Sequence, residues 1–373
     1  MFRIKTVPVN LGLPHQEDLI VPSLTLETQK SIKKIACGGN HTIILCENEI
    51  LGCGETSAGQ LGDDVSTNLG WKVLFPTRSI IDVACGWEFT VVIDFNNQVL
   101  SCGTGGKGEL GLGADVTQSD SLQSVFKIPD GYQGKLFSSL QNCILVMTNK
   151  TTKHCQIFGW GSNTKEQLFK PKNRKVASPT LIYESQNTTI DYVSMGKDFI
   201  LLINDHNEVI EARGNLPAGF TISDWVSKQL SHVACMWTSI HIQLEDKIHS
   251  FGNNRYGQLL NKQIPNIKNF STGSEHGIMS LNNPSTISCW GWGEHGNCGP
   301  LNSPTRLENL SPHPITTPPN ANSINDYSNT ISPPNTILHL DNKNTHQVLL
   351  QGGYATSWIV IYTSKQTPPP ISP

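Results

Sequence analysis

One pattern recurs along this chain and constrains its fold more than any other feature. A small or apolar residue and a glycine are followed by two variable residues, a polar or aromatic position, and an apolar run. Clear copies are residues 35–43 (IACGGNHTI), 83–91 (VACGWEFTV), 193–200 (VSMGKDFI), 233–240 (VACMWTSI), 270–278 (FSTGSEHGI) and 350–358 (LQGGYATSW), with a decayed copy at 136–144 (LFSSLQNCI). A second pattern interleaves with it. ILGCG at 50–54 leads to GQLG at 59–62, and VLSCG at 99–103 leads to GELG at 108–111. IFGWG at 157–161, IHSFG at 248–252 and CWGWG at 289–293 begin further copies, and VIEARG at 209–214 is a weak one. Taking Gly38 as the reference, equivalent positions fall at 38, 86, 139, 196, 236, 273 and 353, spaced by 48, 53, 57, 40, 37 and 80 residues. Periods of roughly 40–50 residues built of short strands mark a propeller. One small sheet cannot bury both its faces alone, but stacked sheets bury each other. Seven copies predict an all-β, seven-bladed β-propeller.

Composition agrees. Charged residues make up 15% of the 373 and glycines number 32, which suits tight turns and short strands rather than long charged helices. The formal net charge is -3, with 27 basic residues scattered along the chain. That argues against a general nucleic-acid binder, which clusters its Lys and Arg. No apolar run is long enough to span a membrane, and the start carries no secretory leader pattern. Ten cysteines occur without a C-x-x-C pair and are read as reduced thiols of a cytoplasmic and nuclear protein.

The boundaries follow from the repeats. Residues 1–300 and 348–364 form one propeller. Residues 301–347, with Pro312, Pro314, Pro318, Pro319, Pro333 and Pro334, read as a disordered insertion before or within the last blade. Residues 365–373 read as a disordered tail.

Chemistry-bearing motifs are sparse. Two G-x-G-x-x-G matches, at 103–108 and 291–296, fall on the repeat's turns with no helical pattern after them. Their glycines serve turn geometry rather than a phosphate. Cys37, Cys85 and Cys235, like Cys53 and Cys102, occupy equivalent positions in different blades, expected to lie far apart and to pack rather than to bind zinc. His41 stands where a histidine bonds backbone between strands, and His241 and His276 stand near the same level. No nucleophile or metalloprotease constellation occurs. Asp94, Asp198 and Glu275 are single carboxylates. The chain is expected to be no enzyme, with no cofactor and no metal. The sharper signal lies in the loops after the reference glycine, which carry Trp87, Glu88, Lys197, Asp198, Trp237, Glu275, His276 and Tyr354. Aromatic and charged residues gathered on one face suit a protein-binding surface. Trp160 and Trp292, alternating with glycines, are assigned to packing.

The two patterns together resemble the regulator-of-chromosome-condensation repeat family, whose blades carry Cys-Gly-x-x-His-Thr and Trp-Gly-x-Asn-x-x-Gly-Gln-Leu-Gly elements. Less generic stretches, GWGSNTK at 159–165, DYVSMGKDF at 191–199, CMWTSIH at 235–241 and CWGWGEHGNCGP at 289–300, resemble the fungal alpha-tubulin suppressor, or killer-toxin-insensitivity, propellers. That resemblance implies a one-to-one partner, the small CSL-type zinc protein of diphthamide synthesis. It also implies a part in Elongator-dependent modification of tRNA wobble uridines. The broader family implies an alternative, a guanine-nucleotide exchange factor for a Ran-type small GTPase, and the suppressor family's name implies another, a tubulin-linked scaffold. The chain departs from the pattern at its start, where FRIKTVPVNLG at 2–12 replaces an expected Phe-Gly-Ser-Asn-Gly stretch, so the closing strand is left unassigned.

Overall fold

Each blade begins where the repeat's two patterns pair as adjacent antiparallel strands. In a computed structural model, residues 2–7, 22–62, 70–260, 263–282, 285–300, 305–306, 330–340 and 347–362 are described. Their strands divide into two compact units, residues 33–232 and residues 1–32 with 233–373.

The 33–232 unit holds four blades. The first runs through Ile32–Cys37, His41–Cys46, Ile50–Gly54 and Lys72–Val73, and the second through Ile80–Cys85, Phe89–Asp94, Gln98–Thr104 and Gln118–Lys127. The third comprises Tyr132–Ser139, Asn142–Asn149, Cys155–Asn163 and Asn173–Ser185; the fourth has three strands, Ile190–Met195, Phe199–Asn204 and Val209–Gly214. The second strand of a blade is buried over most or all of its length, entirely so in Phe89–Asp94 and Phe199–Asn204. A strand covered on both faces reads as a continuous apolar run, whereas a half-exposed one alternates. The outermost strand of the third blade, Asn173–Ser185, is mostly half-buried or exposed. Val91, Ile93, Leu136, Leu145, Ile157, Trp160 and Leu202 belong to one core running through this unit.

The other unit holds a fifth blade of three strands, His232–Cys235, Ser239–Leu244 and Lys247–Gly252. The sixth has Ile267–Thr272, His276–Leu281, Thr286–Trp292 and Thr330–His339, with Thr305–Arg306 pairing parallel to the last of these. A further sheet orders Ser23–Thr28, Phe2–Val7, Ser357–Tyr362 and Gln347–Gly352.

The expected seven blades are therefore corrected to six. Six sheets are each built from one continuous stretch carrying both repeat patterns, and among the described residues those six carry a glycine at positive φ at or near the end of the third strand: Gly54, Gly103, Gly161, Gly214, Gly252 and Gly291. The seventh copy of the first pattern, at 350–358, supplies two strands to a sheet that residues from the other end of the chain complete. Phe2–Val7 is the strand left unassigned from sequence. It lies between two partners, with Phe2 opposite both Thr28 and Tyr362.

The disordered reading of 301–347 is corrected for part of its length. Thr330–His339 is a strand of the sixth blade, and Ile331, Ile337 and Leu338 join its core. Pro312, Pro314, Pro318, Pro319 and the 365–373 tail lie outside the described residues.

Candidate functional site, an aromatic and acidic surface

The reference-glycine turn closes on itself in the same way in most blades. The amides of Gly38, Gly86, Gly196, Met236 and Gly273 donate to the carbonyls of His41, Phe89, Phe199, Ser239 and His276. The variable residues between are then linked to the next blade's turn. In the 33–232 unit, Gly39 N–H donates to the Trp87 carbonyl and Trp87 N–H to the Leu140 carbonyl, each at 2.9 Å. In the other unit, Trp237 N–H donates to Ser274 O at 2.7 Å, and Ser274 N–H to Gly353 O at 2.9 Å. Backbone bonds thus line up the loops of Trp87, Trp237, Glu275 and Tyr354, separately within each unit.

Trp237 and Tyr354 meet edge to face, with ring centroids 5.2 Å apart and an interplanar angle of 78°. Such pairs add roughly 0.5–1.5 kcal/mol beyond their area, so both rings are held before any partner arrives. Glu275 beside them is fixed as well. The Thr238 hydroxyl lies 2.8 Å from each of its carboxylate oxygens, and Gln258 Nε2 donates to Oε2 at 3.1 Å. The Glu275 carbonyl accepts Trp292 N–H at 2.9 Å. That bond extends the surface to Trp292, whose ring lies 6.4 Å from Tyr256 and 4.9 Å from His295. Trp292 Nε1–H donates to Glu294 at 2.9 Å, and the Arg255 guanidinium lies over the Tyr256 ring at 5.3 Å. One unit therefore presents four aromatic rings, a histidine and two oriented carboxylates on linked loops.

Of the residues singled out from sequence, Trp237, Glu275 and Tyr354 come together here. Trp87, 41% exposed, belongs to the other unit, as do half-buried Glu88 and Asp198 and exposed Lys197. His276 is corrected. It is fully buried, and burial lowers its pKa to about 4. Its Nε2 donates to the Thr356 carbonyl at 3.1 Å and stands 3.0 Å from the Ser357 hydroxyl. It fastens the sixth blade to the composite sheet and offers nothing to a partner. Sequence reasoning missed Tyr256 and His295 and assigned Trp292 to packing. Packing holds for Trp160, which is fully buried, but Trp292 is only half-buried. The available signal was the position before the second turn glycine. It is Ala58 in the first blade and Lys107 in the second, but Tyr256 and His295 in the fifth and sixth.

The cysteine reading is corrected in geometry and kept in role. Cys37 acts electrostatically on Cys53 and Cys85, and Cys102 on Cys85, so these thiols are neighbours rather than far apart. Burial pushes the Cys53 and Cys85 thiols far up, as expected of packed rather than reactive sulfur. Among the described residues no group of three or more His, Cys, Asp or Glu side chains could hold a metal ion.

The strand pattern and the linked turns define an all-β repeat propeller. A regulator of chromosome condensation (RCC1) repeat model matches residues 80–109, which span the first three strands of the second blade. An RCC1 repeat-containing protein of Schizosaccharomyces pombe is 27% identical over 317 residues, covering 77% of this chain and 85% of that one. A secretion-regulating guanine nucleotide exchange factor of Bos taurus is 24% identical, covering 82% and 76%. The crystal structure of Prp20p from Saccharomyces cerevisiae, described with its binding to Gsp1p and histones, overlays with a TM-score of 0.69 at 16% identity, covering 98% and 92%. These matches support an RCC1-like repeat propeller.

Proposed function

We propose that this chain is a protein-binding propeller rather than a catalyst, and that it docks a small CSL-type zinc protein one to one. Docking would hold the partner's metal site in a fixed orientation. It would thereby regulate electron donation in diphthamide synthesis and in Elongator-dependent wobble-uridine modification, in the cytoplasm and nucleus. The observation that carries the binding reading is the pre-formed Trp237–Tyr354 pair beside the fixed Glu275 carboxylate. Rigid aromatic anchors ringed by polar groups dominate interface energies. The choice of partner is supported by the stretches at 159–165, 191–199, 235–241 and 289–300.

Calorimetric titration with the CSL protein tests both levels. A one-to-one complex supports the partner, and Trp87→Ala combined with Trp237→Ala then weakens it by roughly 2–4 kcal/mol if both are anchors. Unchanged affinity in the folded double variant refutes the anchor assignment. The absence of heat and of co-elution refutes the partner.

A second reading is nucleotide exchange on a Ran-type GTPase, favoured by the relative named as an exchange factor. A nucleotide-release assay with that GTPase separates it from the first.

A further inference from the structure

A cleft of about 480 Å³ opens in the second blade, lined by Thr77, Arg78, Ser79, Asp94, Phe95 and Asn96. It lies between the segment preceding Ile80–Cys85 and the hairpin tip that follows Phe89–Asp94. Its chemistry is one-sided. Thr77, Arg78, Ser79 and Asn96 all bear donors, and the single carboxylate is spent inside the protein. Asp94 is 3% exposed. Its Oδ1 accepts the amides of Asn96 and Gln98, both at 2.9 Å, and its Oδ2 faces Arg78 Nη1 at 3.4 Å. That long contact positions the Arg78 side chain, itself 42% exposed, and leaves most of its planar donor fork for something else. A second cation stands at the rim, where Lys127 Nζ donates to the Asn96 carbonyl. Between these donors Phe95 is 75% exposed, the most exposed large apolar side chain among the described residues. Phe95 N–H bonds Ser79 O at 2.7 Å, so the ring is displayed from a fastened turn.

A lone exposed phenylalanine needs no explanation. One set beside a positioned guanidinium, in a cleft whose own acid is neutralised, matches a ligand that joins a carboxylate to an apolar group. We propose that this cleft captures an acidic peptide segment of a partner protein, with a Glu or Asp carboxylate on Arg78 and a neighbouring apolar side chain on Phe95. The proposal is independent of the aromatic surface, which belongs to the other unit.

The test is a peptide array. Peptides pairing Glu or Asp with Leu, Ile or Phe at close spacing are printed beside the same peptides with Gln or Asn, and beside phosphoserine versions. The full-length protein is expected to bind the acidic set above the amide set. Arg78→Ala and Phe95→Ser should each reduce that signal by about tenfold or more, the scale of one charge-assisted pair or one buried aromatic anchor. Arg78→Lys should keep part of it. Phe95→Ser changes an exposed side chain, so its loss of binding is not a loss of fold. Equal binding to the acidic and amide sets, or an Arg78→Ala protein that binds like the parent, overturns the proposal. Stronger binding to the phosphoserine set, displaced by inorganic phosphate, overturns it in favour of a phosphorylated partner.

Discussion

Among the described residues three histidines are sealed in the blades, and their protons can be read as stability. Burial lowers the pKa of His41 and His241 to about 3 and that of His276 to about 4, from an ordinary 6.5. Above 6.5 they are neutral in both the folded and the unfolded chain. As pH falls below that, the unfolded chain takes up protons that the folded one refuses until about pH 3–4. Stability is therefore full above 6.5 and is lost progressively on acidification, by on the order of 1–2 kcal/mol per histidine by pH 5. Urea midpoints at the two pH values should fall accordingly, and His276→Gln, whose amide can still donate to Thr356 O, should fall less. A pH dependence unchanged in the variant would remove His276 from the account. Sequence placed His41 between strands with a backbone partner, and a backbone hydrogen bond at Phe89 of the next blade acts on it. What the sequence did not show is that its Nε2 also reaches the Thr90 hydroxyl at 3.1 Å. His276 misled because it adjoins Glu275: Glu275 is the last residue of the loop and half-buried, whereas His276 is the first residue of the buried strand His276–Leu281.

At the scale of elements, what joins one blade to the next is a repeated carbonyl. A backbone oxygen in each of these turns accepts from a side chain of the following blade: Gln60 O from Thr90, Glu109 O from Trp160 and, one residue further along its turn, Leu168 O from Arg213, each at 2.7–2.8 Å. In the other unit Gln258 O accepts from Trp290 and Asn297 O from Ser357, each at 2.8 Å. The donors differ chemically, so no motif announces them. Only the acceptor turn repeats, which is why the turns were legible from sequence and the latches were not. Thr90→Val removes a donor and leaves both Gln60 O and His41 Nε2 without that partner. It should cost about 1–3 kcal/mol in chemical denaturation, whereas Thr90→Ser should cost far less. The Thr330–His339 strand was hidden for a different reason. Its Pro333 and Pro334 argue against a central strand, but they fall where the register slips between Gly291 and Cys289, at a bulge that tolerates proline. Ile331, Ile337 and Leu338 were the cue that this stretch is not all loop.

For the whole molecule, the count of blades was the main error, and its cause is topological. A repeat search counts copies, but the sheet of the last copy is completed by residues far away in sequence. Removing residues 1–7 would take out a strand hydrogen-bonded on both sides and uncover the edges of Ser23–Thr28 and Ser357–Tyr362. Unpaired edges template association. The truncated protein should lose several kcal/mol of stability and form soluble oligomers detectable by light scattering; a monomer with the parent's urea midpoint would show that this strand contributes little.

The pairing of Phe2 with Tyr362 also sets a timetable for synthesis. A ribosome releases residues 2–7 before any of the blades, and they can hairpin with Ser23–Thr28 soon afterwards. Their other neighbour, Ser357–Tyr362, emerges only once every blade has been translated. The contiguous blades can therefore fold as they appear, while that first strand keeps one unpaired edge throughout elongation, the interval in which a chaperone has most reason to hold it.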